Sequence, residues 1–194
     1  MRKALFLVPM LLLLLTSCGV SQENDVSLQQ QYAGVTEANL EADITCHYDD
    51  ELRTLTMLCA YTPDSSSITV LSPAELAGIS ATVEQGNLTL SYEDISLDAG
   101  SYSAADISPV AVLPKLMEAA SSGYITEQSE ESYNDRNCYR MSADLSQQEG
   151  LLYTTWFDQE TLLPLYSEVT VDDTVVFEVT WTRFEVISTA EASS

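Results

Sequence analysis

What most constrains this chain is a strict two-residue alternation that begins near residue 42. Ala42, Ile44, Cys46 and Tyr48 are apolar or aromatic, and Asp43, Thr45, His47 and Asp49 between them are polar. Successive side chains of a β-strand point to opposite faces, so this pattern specifies a strand buried on one side only. Leu55, Met57, Cys59 and Tyr61 repeat it on the far side of Asp49-Asp50-Glu51, where a hairpin turn is expected. Ile68 and Val70 lead into a third strand.

Two segments depart from that period. Ser72-Pro73-Ala74-Glu75 has the form of a capping box, with Pro at the first helical position and Gly78 placed as a C-cap, which predicts one helical turn. Ser108-Pro109 opens a longer helix, broken or restarted at Pro114 and ended by Gly123. Its Leu113, Leu116, Met117 and Ala120 recur at i, i+3, i+4 and i+7, so one face must cover apolar surface. Between the two, Ile79, Ala81 and Val83 form one strand and Leu88, Leu90 and Tyr92 the next, joined at Gln85-Gly86-Asn87. After Gly123 the alternation returns over about 123–131, 136–145, 150–158, 165–172 and 174–186. The fold class is mainly β (α+β), an antiparallel meander of about ten strands with one substantial helix placed mid-chain.

The N-terminus follows other rules. Arg2 and Lys3 precede an apolar run from Ala4 to Leu15, too short to span a bilayer, and Leu15-Thr16-Ser17-Cys18 follows it. Residues 1–17 are therefore expected to be a secretory signal, and the mature chain to begin at Cys18. Residues 18–38 are expected to be a tether in which part of Val26 to Ala38 forms a weak helix packing on the domain, 39–187 the folded domain and 188–194 a disordered tail. Removing Arg2 and Lys3 takes the formal charge from −23 to −25. So acidic a surface repels nucleic acid and anionic headgroups, so membrane residence has to come from a lipid anchor.

Chemistry is sparsely provided. Beyond Cys18, the cysteines are Cys46, Cys59 and Cys138, an odd number. A hairpin at residues 49–51 sets Cys46 opposite about residue 54 and leaves Cys59 about 15 Å further along, so these two should not bridge. All three are expected to be buried fillers. His47, the only histidine, points away from Cys46 on the same strand, so the pair cannot form a catalytic dyad. No phosphate-cradling glycine loop and no metal-ligand spacing occurs, so neither cofactor nor metal is expected. The many acids fall on the polar phase of strands and in turns, as solvated residues do.

Three stretches carry a resemblance. The tripartite signal ending at Cys18 resembles the lipobox of bacterial lipoproteins, which implies diacylglycerol on that thiol. Trp156-Phe157-Asp158 followed by Thr161-Leu162-Leu163-Pro164-Leu165, with Asp172-Asp173 beyond, resembles the LolA and LolB lipoprotein-carrier family. Ile68 to Val83, Tyr92-Glu93-Asp94 and Ser108-Pro109 look closest to the GerS-type germination lipoproteins of Gram-positive spore formers. That resemblance implies a curved antiparallel half-barrel with the helix as a lid on its concave face. The residues it would place in the cavity are Leu113, Leu116, Met117, Trp156, Phe177, Val179 and Trp181. It also implies a lipid-anchored protein on the outer face of the cell membrane, a non-enzymatic binding module for an envelope partner such as a cell-wall amidase. An acyl-chain or lipoprotein carrier is the alternative, and a carboxylate-dependent hydrolase a weaker one. Because the inner-face candidates are bulky, the interior is expected to be filled by its own side chains.

Overall fold

The structure is a computed structural model that describes residues 22–48, 51–101, 103, 107–145 and 150–187. The signal, Cys18 and the tail from residue 188 lie outside the described residues.

The alternating stretches form one antiparallel sheet of eleven strands. In chain order these are β1 (Ala38–Tyr48), β2 (Glu51–Tyr61), β3 (Ser65–Ser72), β4 (Ser80–Glu84), β5 (Asn87–Tyr92) and β6 (Ile95–Ser101), followed by β7 (Tyr124–Tyr133), β8 (Arg136–Asp144), β9 (Leu151–Asp158), β10 (Pro164–Val171) and β11 (Thr174–Val186). In space the order is β6-β5-β4-β3-β2-β1-β11-β10-β9-β8-β7, so the first and last strands are neighbours at the centre. The two edges, β6 and β7, are consecutive in the chain, and the sheet stays open between them. Tight turns supply the reversals. Gln85-Gly86, Asn134-Asp135 and Asp172-Asp173 all have positive φ, as two-residue hairpin loops demand.

Two helices lie on the sheet. α1 (Gln22–Ala33) precedes β1, and α2 (Val112–Ser122) occupies the link between β6 and β7. Pro109 starts a short 3-10 turn over Pro109–Ala111, and α2 then runs through Pro114 unbroken. Pro114 sits in the first turn, where backbone N–H groups have no intrahelical acceptor, so it removes no bond. Gly123 ends the helix in extended conformation. A Cβ there would lie 2.6 Å from the Ala119 carbonyl oxygen and 2.9 Å from the Ala143 side chain, so only glycine lets the helix end seat on β8.

Three readings change. Ser72 to Gly78 forms a turn rather than a helical turn: the Gly78 and Val70 amides donate to the Val70 and Ile79 carbonyls, so the β3–β4 ladder outcompetes the local cap. β6 is an eleventh strand that the alternation passes over. The helix expected within residues 18–38 forms as α1 and buries Leu28 and Tyr32 in the core, so the folded unit begins before residue 39. Cys46 pairs with Arg53, one residue from the expected position, and Cys59 lies six residues beyond, opposite Leu40. Cys46, Cys59 and Cys138 are free thiols in buried positions.

The concave face and its open wing

Even-numbered residues of β1 face the concavity: Ala38, Leu40, Ala42, Ile44 and Cys46 are all fully buried. The register carries that face outward through Met57 and Cys59 on β2, Val179 and Phe177 on β11, and Val169 on β10. On β9 the concave residues are Leu151, Tyr153, Thr155 and Phe157. α2 lies over this wall with Leu113, Leu116 and Met117 at 0%, 2% and 2% exposure. α1 closes the other side, where Tyr32 meets Phe157 edge to face at 5.0 Å. The Tyr32 hydroxyl donates to the Leu162 carbonyl at 2.9 Å, and the Gln29 amide donates to the Gly123 carbonyl at 2.8 Å. Burial drives the Tyr32 phenol well above its ordinary pKa and pushes the Cys59 thiol up to about 12.

The interior is not uniformly apolar. Thr155 and Ser167 are buried on the concave face and share a hydrogen bond of 2.8 Å, and the Trp181 indole N–H donates to Ser167 Oγ at 2.9 Å. Hydroxyl groups paired this way carry no net desolvation penalty. Trp156 goes to the opposite, convex face. There it packs on Tyr166 at 5.3 Å and Tyr133 at 6.4 Å, beneath the Arg140 guanidinium, and its N–H donates to Glu131. So of the residues assigned to the cavity wall, Leu113, Leu116, Met117, Phe177, Val179 and Trp181 pack on the core and Trp156 does not.

The stretch Trp156 to Leu165 is a structural corner. Asp158 Oδ1 accepts from the amides of Glu160 and Thr161 and from the Thr161 hydroxyl. The Thr161 amide is the largest influence holding the Asp158 carboxyl below the usual carboxylate range. The corner presents the Leu162 carbonyl that receives Tyr32, which fixes α1 in place.

Helix cover ends before the sheet does. On β5 and β6 the concave residues are Leu88, Leu90 and Tyr92, then Ile95 and Leu97, where Leu90 pairs with Leu97 and Tyr92 with Ile95. Tyr92, Ile95 and Leu97 are 47%, 72% and 61% exposed. All seven residues of β6 are exposed. The signal that marks this wing is Tyr92-Glu93-Asp94-Ile95, a two-residue turn flanked by apolar residues at hairpin spacing.

Hollows flank the helices. One of about 460 Å³ lies between the start of β3 and α2, lined by Asp64, Ser66, Lys115 and Glu118 together with Tyr61 and Val83. Lys115 is buried and its ammonium donates to the Ser103 carbonyl at 2.6 Å. A second of about 350 Å³ lies beside the end of α1, between Tyr32, Val35, Leu163, Phe184 and Val186. Among the described residues no cluster of three or more His, Cys, Asp or Glu is arranged to hold a metal ion, and no helix is long and apolar enough to cross a membrane.

This half-barrel is similar to that of a LolA superfamily protein from Nitrosomonas europaea, with a TM-score of 0.50 at 10% identity over 89% of this chain and 96% of that one. The fold is LolA-like. An uncharacterized conserved protein from Thermus thermophilus shares it, with a TM-score of 0.52 at 9% identity over 87% of this chain and 90% of the other. No family model matches the sequence, and no curated protein does. At such identities the likeness is one of architecture, so the function of this chain has to be argued from its own surfaces.

Proposed function

We propose that the chain is a non-enzymatic binding module, a lipoprotein anchored through Cys18 on the outer face of the cell membrane and acting on a protein partner in the envelope. The observation that carries this reading is where the apolar surface lies. Two helices occupy the concavity with fully buried side chains, and on the β5–β6 wing Tyr92, Ile95 and Leu97 continue the same apolar face uncovered. A carrier of acyl chains needs an apolar slot, and the hollow beside α2 has Asp64, Lys115, Glu118 and serines in its lining. The lipobox-like Leu15-Thr16-Ser17-Cys18 supports the anchor, and the GerS-like stretches make a cell-wall amidase a candidate partner.

The apolar hollow beside α1 favours one alternative, a carrier or receptor for a short acyl chain. Native mass spectrometry of the full chain carrying Cys18→Ser, which removes the attachment atom, separates the two. A binding module gives the bare polypeptide mass. Stoichiometric fatty acid or phospholipid retained through purification overturns the proposal in favour of the carrier.

A further inference from the structure

The two edges of the sheet are finished differently. β7 carries Glu127, Glu130 and Glu131, has a bulge at Thr126, and is tied back by Arg140, whose guanidinium pairs with Glu127 at 2.7 Å. Charges and bulges are how sheets protect an edge against added strands. β6 has no bulge and little charge over Ile95–Asp98. That run pairs regularly with β5, its bulge comes only at Ala99, and its single charge is Asp98. Among the described residues no strand lies on its outer side. Half of its backbone N–H and C=O groups therefore face outward, beside the exposed side chains of Ile95 and Leu97.

Charge decides what can pair there. From residue 54 to residue 114 the chain contains seven acids and no Lys, Arg or His. Glu84, Glu93, Asp94 and Asp98 belong to the β4–β6 hairpins themselves. With a formal charge of −23, a second copy would bring an equally acidic edge against this one. We propose that β6 accepts an additional strand, an extended cationic segment of a partner protein whose alternate apolar residues cover Ile95 and Leu97. Main-chain hydrogen bonds supply the affinity in this mode, and alternate side chains the selectivity. Four paired residues span about 14 Å, so a short segment suffices. Its Lys or Arg residues fall opposite Asp98 and beside Glu93 and Asp94. The inference rests on the binding-module reading and names its surface and the chemistry of its partner.

The test uses the full-length chain and three heptapeptides: alternating Lys and Val, the same peptide N-methylated at alternate amides, and alternating Glu and Val. Fluorescence anisotropy measures binding, and hydrogen exchange locates it. The Lys-Val peptide is expected to bind and to slow exchange at Ile95–Ser101. N-methylation leaves its charge intact but removes N–H donors, so it should abolish that protection. Leu97→Ser keeps the charge of the protein and should weaken binding about tenfold, the usual effect of losing one apolar anchor. Melting of the variant checks that it remains folded. Equal binding of the N-methylated or Glu-Val peptide, protection elsewhere, or no binding overturns the proposal. So does protection of β6 that rises with protein concentration and no peptide, which would put a second copy there. A negative result with a lipid-free protein removes strand addition alone, whereas bound lipid removes the binding-module reading itself.

Discussion

The central strands and the β4–β6 wing belong to one sheet and obey one alternation, yet they end in different states. On β1 every second side chain from Ala38 to Cys46 is fully buried, because α1 and α2 lie over it. On β6 the same alternation puts Ile95 and Leu97 in solvent, because the helices stop short. Alternation therefore fixes which face is apolar, and the cover decides whether that face becomes core or contact surface. The filled part supplies stability. The bare part is free to be used.

The largest way to break this contrast is a charge under α2. Leu116→Asp places a carboxylate at a position only 2% exposed, and should cost about 5 kcal/mol in chemical denaturation. A small change would mean that α2 does not pack as described. Phe157→Ala, beneath Tyr32, should cost about 3–4 kcal/mol and loosen α1 along with the core. Limited proteolysis after residue 30 gives an independent reading of that loosening.

A subtler effect concerns pH. The Asp158 carboxyl is held below its ordinary value of 3.8, so its bonds stabilise the fold above that value. The contribution is lost as pH falls through the lower, folded-state pKa. Asp158→Asn should be less stable than the parent at pH 7, and the gap should narrow as denaturation is repeated toward pH 3. A gap independent of pH would mean that the charge does not matter to the corner. At the small end, Leu97→Ser on the wing should shift stability by no more than about 0.5 kcal/mol, since Leu97 is 61% exposed. A large loss would mean the wing is covered after all.

Much of the fold is legible from spacing alone. The alternations of β1, β2 and the strands after Gly123 place the sheet, and Leu113, Leu116 and Met117 identify the helix face that covers it. The failures have particular causes. β6 follows its two apolar residues with Asp98, Ala99, Gly100 and Ser101, so its alternation dies after one repeat and only the two-residue turn betrays it. The helix within residues 18–38 is legible, but its start at Gln22 is not, because α1 is composed mainly of Gln, Ser and acids, and Leu28 and Tyr32 bury it through contacts distant in sequence. Trp156 is the most instructive. Beside Thr154 and Thr155 the bulky Trp156 suggests Trp inward and Thr outward, but Thr155 finds Ser167 inside, so the hydroxyl is satisfied and the indole faces out. Tertiary pairing reversed the rule that polarity alone supplies. Cysteine spacing told more: Cys46 and Cys59 lie too far apart on the β1–β2 ladder to bridge, and both are free.

Hydrogen exchange of the full-length chain without any partner tests the contrast most directly. Local opening free energies run from near zero at exposed edges to the global value in covered strands. Slow exchange, tracking global unfolding, is predicted at β1, β9, β11 and α2, and fast exchange at β6 and the outer half of β5. Uniform protection from β6 to β11 would show the wing to be part of the core, and would contradict the division on which the binding surface rests.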